Sequence, residues 1–371
     1  MLCNSDINGV GGKHIRHHVG KLYRFKSNRD TYMTSNIVLC GNSNYYLETV
    51  TNSDNNYTIF YIDADNKLLS YATGLYVGSF ASDASSRNQT YNQWTLPGVG
   101  EAGTAFTFAE GSVVGKYKLR PGNNREICAY SRQVSGVNTY IVEAATTGQT
   151  SADYNWTIEE VTWLPIPVSS TYRFGTFFSP VDIALTDHQY YAKDARMKFY
   201  TGRLDDEGYV VLDKVNDNIP ANTPYVIELT SQSGYGNGCQ YLKIADSAPA
   251  IEANTYDLRG GLETIATPTD QGTIYTLQAA WDDTTEDHNS ATDVAFRIYN
   301  GTNILGCRAY LPVSGTQPVK GLRFNEGTTT RIESLEAGQT HEIDAYDLSG
   351  RRVERAGKGL YIINGKKVYI K

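Results

Sequence analysis

The chain has 371 residues, a formal net charge of −7, and 28 tyrosines against 3 methionines. This length suits two or more domains, each large enough to bury its own core. The acidic balance, without a basic face, argues against nucleic acid as a partner. No run reaches the roughly 18 apolar residues that a membrane-spanning helix needs. The many Tyr, Val, Ile, Thr and Gly residues predict an all-β protein.

The opening segment, residues 1–18, is rich in Gly, Asn and His without periodicity, so we expect a loose lead-in. It lacks the apolar stretch of a signal peptide. His14, His17 and His18 lie close together in the sequence, with Cys3 nearby, and such side chains can bind Zn²⁺ or Ni²⁺. The pattern holds them on no rigid element, so we predict no metal site.

An internal repeat follows the lead-in. Four short aromatic strands are centred on Phe25, Ile62, Phe108 and Ile158, at intervals of 37, 46 and 50 residues. After the middle two strands a turn and a Tyr/Leu strand return, in "DADNKLLSYATGLYVG" and "EGSVVGKYKLRPGNNREICAY". The four strands therefore bound three units of strand and turn, which is the pattern of a barrel with pseudo-threefold symmetry.

Residues 19–163, which carry this repeat, resemble a β-trefoil of the ricin-type lectin superfamily. The Gln-x-Trp signature of that family is only partly echoed, by Asn92-Gln93-Trp94 and Tyr154-Asn155-Trp156. The resemblance implies three shallow sites for carbohydrate. Sugars stack their C–H faces on aromatic rings while Asp or Asn side chains bind the hydroxyls. By position in the units, the candidate glycan-binding residues are Asp30, Tyr32, Tyr71, Tyr76, Asn124 and Tyr130.

The second domain is predicted over residues 164–339. The two prolines of "VTWLPIPVSS", residues 161–170, indicate an interdomain linker, because proline cannot donate to a central strand ladder. Beyond it, strand-length runs alternate with Gly, Pro, Asn and Asp turns, which is typical of a β-sandwich.

Residues 340–371 predict a small β-meander. Asn364-Gly365 between two alternating runs is a strong hairpin signal, because both central residues of a type I′ turn need positive φ. The stretch resembles a compact form of the C-terminal sorting domain that many exported proteins of the Bacteroidales carry for type IX secretion. The residues that carry this match are Asp347, Gly350, Arg351, Gly359, Tyr361 and Gly365. The resemblance implies export, with the tail recognised by secretion or attachment machinery.

Patterns for cofactor binding or catalysis are weak throughout. The Gly-x-Gly-x-x-Gly match at residues 98–103 precedes a strand pattern where a helix is needed to hold a pyrophosphate. The acidic stretch 281–293 lacks the order of a calcium loop, and the carboxylates at 205–207 lie in a predicted turn. No G-x-S-x-G elbow or H-E-x-x-H helix is present, and His341-Glu342 lies in the tail. We predict neither a cofactor nor catalytic residues.

The five cysteines, at 3, 40, 128, 239 and 307, are far apart and form no C-x-x-C pair. Their spacing excludes a zinc ribbon and a dense disulfide framework, and favours free buried thiols.

Two hypotheses for function remain open. In the first, the chain is a non-catalytic exported surface protein, or the C-terminal part of one, whose trefoil binds a polysaccharide or a glycoprotein glycan. In the second, all its parts are structural modules of a longer secreted hydrolase whose catalytic domain lies outside this chain. Because the tail predicts export while residues 1–18 lack a signal peptide, we expect that Met1 is not the natural start.

Overall fold

A computed structural model describes residues 20–40, 45–53, 55–83, 91–95, 98–121, 125–146, 148–167, 173–188, 197–229, 239–279, 294–315, 318–325, 333–335, 345–346, 352–353, 359–363 and 366–370. The regular elements in these ranges are β-strands and three short 3-10 helices, which confirms the all-β prediction. Within the same ranges, no helix is long and apolar enough to span a membrane.

The described part of the first domain has twelve strands and two of the 3-10 helices, which span Asn56–Thr58 and Ala152–Tyr154. The strands are β1 (Leu22–Ser27), β2 (Tyr32–Leu39), β3 (Tyr45–Val50), β4 (Phe60–Ile62), β5 (Leu68–Ser70), β6 (Gly78–Asp83), β7 (Tyr91–Thr95), β8 (Phe106–Glu110), β9 (Tyr117–Pro121), β10 (Arg125–Val134), β11 (Val137–Thr146) and β12 (Trp156–Glu160).

Six of these strands close into a barrel. Strand β1 pairs with β12 on one side and β4 on the other; β4 continues to β5, and β12 continues through β9 to β8. An isolated bridge between Lys67 and Ala105 joins the two remaining strands, β5 and β8. The ring therefore has no open edge, which removes a template for pairing with other chains.

The other six strands form three hairpins, β2–β3, β6–β7 and β10–β11. Strand β11 pairs with both β3 and β7, so the three hairpins meet one another. A closed six-stranded barrel with three hairpins that pack together is the arrangement of a β-trefoil. Its repeats begin at β1, β5 and β9.

The repeat detected in the sequence corresponds to the barrel. The fourth strand of each repeat opens with a large aromatic side chain that is almost fully buried, at Phe60, Phe106 and Trp156. Phe25 lies instead on a first strand, packed against Phe60 with the ring centroids 5.9 Å apart. The first unit of the sequence repeat therefore starts on a first strand, whereas the other two start on a fourth strand, and it matches their turn-and-strand pattern least well.

In its described residues, the second domain has fourteen strands and the third 3-10 helix, Ala253–Thr255. The strands are β13 (Trp163–Pro167), β14 (Phe174–Phe177), β15 (Ile183–His188), β16 (Met197–Leu204), β17 (Tyr209–Val215), β18 (Tyr225–Leu229), β19 (Cys239–Ile244), β20 (Arg259–Gly261), β21 (Ile265–Ala266), β22 (Thr273–Ala279), β23 (Val294–Ile298), β24 (Asn303–Ile304), β25 (Arg308–Val313) and β26 (Gly321–Asn325).

Two sheets of this domain share one core. The five-stranded sheet has the order β14-β18-β16-β17-β26, and the four-stranded sheet has the order β20-β25-β22-β23. Tyr200, Leu212 and Val226 of the first sheet belong to one buried cluster with Phe296 and Leu311 of the second. The domain is therefore a β-sandwich, as predicted. Smaller sheets, β13-β19-β15 and β21-β24, complete it.

The predicted linker at 161–170 is wrong in its central part. Trp163–Pro167 form β13, which pairs antiparallel with β19. Strand β13 is at the edge of its sheet, and an edge strand tolerates proline because one side of its ladder donates to no neighbour. The prolines correctly indicated that this stretch is not a central strand, but they did not indicate a linker.

The trefoil and the sandwich belong to a single compact unit that extends to Phe324. Leu22, Ile59 and Tyr71 of the trefoil lie in the same buried cluster as Leu164 and Phe199 of the second domain. The two domains thus share a hydrophobic core, and burial of this apolar surface stabilises both.

The tail forms a second compact unit, Asn325–Lys371. Its strands are β27 (Glu333–Leu335), β28 (Ala345–Tyr346), β29 (Arg352–Val353), β30 (Gly359–Ile363) and β31 (Lys366–Ile370). Strand β30 pairs with β31 so that Ile363 faces Lys366, which confirms the hairpin predicted around 364–365.

Two details of the predicted tail need correction. Strand β28 pairs with both β29 and β30, so the strand order is not that of a simple meander. Strand β27, which precedes the predicted start of the tail at residue 340, pairs in parallel with β31 and so belongs to the same sheet. A parallel partner needs a long connection and leaves no local turn signal in the sequence.

Candidate functional site

The turn that follows β1 presents an exposed carboxylate. Ser27 and Thr31 close this turn: the Ser27 N–H donates to the Thr31 carbonyl over 2.8 Å, and their buried hydroxyls lie 2.8 Å apart. Asp30, at the tip, has a left-handed φ of 55°, a conformation that Asp and Asn adopt more readily than most residues. Its side chain is 89% exposed. The turn therefore holds the Asp30 carboxylate out in solvent on a fixed backbone.

Lys26 connects this carboxylate to an aromatic ring. Its Nζ lies 3.1 Å from Asp30 Oδ1 and 5.7 Å from the centroid of the Tyr32 ring. The hydrogen bond with Asp30 is the main reason why the pKa of Lys26 is raised. Lys26 and Tyr32 also face each other in the β1–β2 pair. The structure thus brings together the two predicted residues of the first repeat.

Glu159 completes this group from the neighbouring strand β12. The Tyr32 side chain is half-buried, and burial raises its pKa; the nearby Glu159 carboxylate raises it further, while Lys26 acts in the opposite direction. We call Lys26, Asp30, Tyr32 and Glu159 the first-repeat cluster. It combines two carboxylates, an ammonium donor and a partly exposed aromatic ring, which are the groups that bind sugar hydroxyls and sugar C–H faces.

The predicted residues of the second repeat lie against the sandwich. Tyr71 is only 4% exposed, and burial raises its pKa well above the usual value. The Tyr76 hydroxyl donates to Glu263 Oε1 over 2.9 Å. Its pKa is raised, first by burial and then by this hydrogen bond. Tyr71 has no accessible ring face for a sugar, and the polar end of Tyr76 is engaged between the domains.

Backbone contacts beside these tyrosines bring the two domains unusually close. The Thr264 N–H donates to the Gly74 carbonyl over 2.8 Å, and its hydroxyl donates to the Thr73 carbonyl over 2.6 Å. A Cβ added at Gly74 would lie 2.7 Å from the Cα of Gly306. Glycine at both positions therefore permits a contact that any side chain would block.

In the third repeat, charged side chains pair with one another inside the fold. Tyr130 is half-buried, and the Arg132 guanidinium lies 5.1 Å from its ring centroid. Arg132 in turn forms an ion pair of 2.6 Å with the fully buried Glu143. One face of the Tyr130 ring is thus covered by a cation that is itself held in place. Asn124, the other candidate of this repeat, lies outside the described residues.

A second buried carboxylate in this repeat, Glu126, binds two cations. Its oxygens lie 3.0 Å from Lys118 Nζ and 2.7 Å from Arg120 Nη2. Burial alone raises the pKa of Glu126, but the hydrogen bonds from the two cations outweigh that effect, so the pKa is lowered. The two cations thus balance the charge of the buried Glu126 carboxylate.

One partial echo of the lectin signature has a structural role. Trp156 is fully buried, and its indole N–H donates to the Ile127 carbonyl over 3.0 Å. Asn155 is also buried; its Oδ1 accepts from the Ser112 N–H and its amide donates to the Ser112 hydroxyl, each over 2.9 Å. Asn155 and Trp156 therefore fix the β8–β9 loop and the core. Trp94 lies on β7, and its side chain is outside the described part.

Two other sequence patterns lie within the described residues. The glycine-rich stretch 98–103 leads into β8 rather than a helix. Asp205 lies in the β16–β17 turn, where it accepts from the N–H groups of Glu207 and Tyr209, and these backbone bonds are the main cause of its lowered pKa. Among the described residues, no group of three or more His, Cys, Asp or Glu side chains could hold a metal ion.

Several of the sequence predictions cannot be placed. The histidines of the lead-in, the acidic stretch 281–293 and residues 341–342 lie outside the described ranges, as do Asp347, Gly350, Arg351 and Gly365. Gly359 and Tyr361 lie on β30. Cys40, Cys128 and Cys307 are free and buried, as predicted, and burial raises the pKa of Cys307 to about 12.

Comparisons with solved structures found distant likenesses. No protein-family model matches the chain, and no curated protein matches it. A solved ricin B-like lectin of Macrolepiota procera, in complex with lactose, aligns over 40% of this chain and 100% of its own, with 12% identity and a TM-score of 0.29. A mosquitocidal holotoxin aligns over 85% of this chain, with 14% identity and a TM-score of 0.30; the chain spans 53% of the toxin's length. Because these TM-scores are low, the fold assignment rests on the strand pairing and not on these likenesses.

Sequence reasoning missed two members of the first-repeat cluster. Lys26 had a usable signal, because it lies four residues before Asp30 across a short turn and six before Tyr32. Glu159 had none, since it reaches the cluster only through the pairing of β1 with β12, where Arg24 faces Glu159.

Proposed function

We propose that the first-repeat cluster is a glycan-binding site, and that the chain is a non-catalytic, exported surface protein or the C-terminal part of one. The observation that carries the binding proposal is the exposed Asp30 carboxylate, fixed by Lys26 beside the Tyr32 ring. Among the predicted residues that the structure describes, Asp30 and Tyr32 combine an exposed carboxylate with a partly exposed aromatic ring. The ligand class is a polysaccharide or a glycoprotein glycan.

Binding by the full chain to an array of immobilised glycans, lactose included, tests the site. Asp30→Ala and Tyr32→Leu should each weaken binding at least tenfold, or about 1.4 kcal/mol, because they remove the acceptor and the stacking surface. The matched control is Asp65→Ala. Asp65 also pairs with a lysine, Lys67, at 3.2 Å and has a side chain that is 71% exposed, but it lies outside the cluster.

Wild-type affinity in both cluster variants, or an equal loss in the control, would remove the site assignment. Absence of binding to every glycan on the array would favour the hypothesis of structural modules attached to a separate hydrolase. Thermal melting of each variant checks that a loss of binding is not a loss of fold.

We also propose that the unit Asn325–Lys371 directs export to the cell surface or medium. Its support is the hairpin array of β28 to β31 together with the sequence match at 347–365. In a bacterium with type IX secretion, a chain equipped with a signal peptide should reach the outside of the cell. The same chain ending at Phe324 should stay inside; if both are exported equally, the tail has no sorting role.

A further inference from the structure

The sandwich contains a polar groove of about 470 Å³ that lies apart from the trefoil cluster. Its polar lining consists of Asp257, Arg259, Gln271 and Ser314. We call these four residues and the space between them the sandwich groove. A volume in this range suits a small ligand or a few units of a polymer.

The groove lies where the two facing sheets meet. Arg259 is the first residue of β20, at the edge of the four-stranded sheet, and Asp257 lies two residues before it. One apolar wall comes from Leu204, at the end of β16 in the five-stranded sheet, and another from Pro312 on β25. Polar groups thus line a cleft that has apolar sides.

Backbone contacts hold the groove in shape. Asp257 Oδ2 accepts from the Leu204 N–H over 2.7 Å, which ties the carboxylate to the opposite sheet. On the other rim Gly272, with a left-handed φ of 83°, passes so close to Val313 that a side chain there would collide with its carbonyl. Gln271 precedes this glycine, and Ser314 follows Val313. The rim therefore has a fixed geometry before any ligand arrives.

The charges of the groove favour a neutral ligand. One carboxylate and one guanidinium offset each other, and the Gln271 amide and Ser314 hydroxyl add donors and acceptors without charge. These donors and acceptors can hydrogen-bond to the hydroxyl groups of a sugar, while Leu204 and Pro312 can contact its C–H faces. A polyhydroxylated ligand fits this surface better than an anion or a cation does.

We propose that the sandwich groove is a second, independent binding site for a neutral glycan segment. It does not depend on the first-repeat cluster. Since the trefoil and the sandwich form one compact unit, two such sites on one body would raise the avidity for a long polysaccharide without any new contact.

Calorimetric titration of the full chain with cellohexaose, mannohexaose, xylohexaose and maltohexaose tests the proposal. At least one hexasaccharide should bind, and Arg259→Ala and Gln271→Ala should each weaken it at least fivefold. Arg203→Ala is the control: this exposed arginine, on the neighbouring strand β16, lies 3.6 Å from Asp213 and outside the groove. The affinity of Arg203→Ala for the same hexasaccharide should stay within twofold of the wild-type value.

Two further comparisons separate this site from alternatives. Asp30→Ala should retain the hexasaccharide affinity measured at the groove, so that failure of the trefoil site leaves this result intact. A rise in salt from 50 to 500 mM should change the affinity less than twofold, because a neutral ligand has no charge to screen. No binding to any of the four sugars, an equal loss in Arg203→Ala, or a tenfold salt effect would overturn the proposal.

Discussion

The turns after the first strands of the first and second repeats differ in length but share an anchoring serine, and their surroundings are opposite. In each, a buried serine ends the first strand and its hydroxyl accepts an N–H from the turn: Ser27 from Arg29 over 3.2 Å, and Ser70 from Thr73 over 3.2 Å. In the first repeat Asp30 then extends into solvent with 89% exposure. In the second, Tyr71 is 4% exposed and packed against the sandwich.

The comparison shows that a shared serine anchor does not decide how a turn is used. An aromatic residue beside a turn can bind a ligand or another domain, and the neighbour decides which. Where the sandwich covers the turn, the Tyr76 hydroxyl hydrogen-bonds to Glu263 across the interface. In the first repeat, the Asp30 carboxylate is exposed and the Tyr32 ring is half-buried. Three tests can sharpen or break this contrast.

The largest expected effect is at the interface beside the second repeat. Gly306→Ala should lower the free energy of unfolding by about 3 kcal/mol, because the new Cβ would collide with the Leu262 carbonyl and crowd Gly74. Urea denaturation measures it. The control is Gly261→Ala, where an added Cβ meets nothing within 4 Å; it should change the same quantity by less than about 0.5 kcal/mol. Equal values would show that the close approach has no energetic weight.

A smaller effect is expected from the hydroxyl that spans the interface. Tyr76→Phe should cost about 1 kcal/mol at pH 7, since Glu263 loses its donor. The raised pKa of Tyr76 means that its stabilising contribution is complete below about pH 10, the value in an unfolded chain, and is lost as the pH rises through the folded value. The difference between wild type and variant should therefore shrink above about pH 10.

Urea denaturation between pH 7 and pH 11 measures this dependence. Tyr57→Phe serves as the control, because Tyr57 is 44% exposed and lies on a 3-10 helix rather than in the turn that contacts Glu263. Its effect should be small at every pH. A difference for Tyr76→Phe that stays constant through pH 11 would contradict the assigned cause.

The smallest effect is expected in the first repeat. Lys26→Ala should change the free energy of unfolding by no more than about 0.5 kcal/mol, because its ion pair with Asp30 is solvent-exposed. Lys118→Ala, in contrast, should cost about 3 kcal/mol, since it leaves Glu126 buried with one cation fewer. Urea denaturation of both variants measures the two losses in free energy of unfolding. A large loss in Lys26→Ala would mean that the first-repeat cluster serves folding rather than binding.

The strand pattern was readable along the chain because it is local. The spacing of the strands around Phe25, Ile62, Phe108 and Ile158 indicated a threefold repeat, and the last three residues lie on equivalent strands, β4, β8 and β12. Asn364-Gly365 likewise determined a hairpin through the backbone angles that its turn needs. Pairing across long separations had no such signal, so the place of β27 beside β31 and the strand order around β28 were missed.

The candidate site was predictable only in part, and for the same reason. Asp30 and Tyr32 lie two residues apart on one turn, so a positional argument found both. Glu159 joins them from a strand more than a hundred residues away. Tyr71 and Tyr76 also follow the first strand of their repeat, but they lie beside the sandwich, where Gly74 closely approaches Gly306.

Taken by itself, the sequence determined an all-β chain, its repeat, its sandwich pattern and the tail hairpin, because periodicity and turn chemistry act over a few residues. The tertiary structure decided which repeat faces solvent, that residues 163–167 form an edge strand, and where the sandwich groove lies. Those features depend on which surfaces meet. Burial and hydrogen bonding across an interface are set by partners distant in the chain, and no local pattern encodes them.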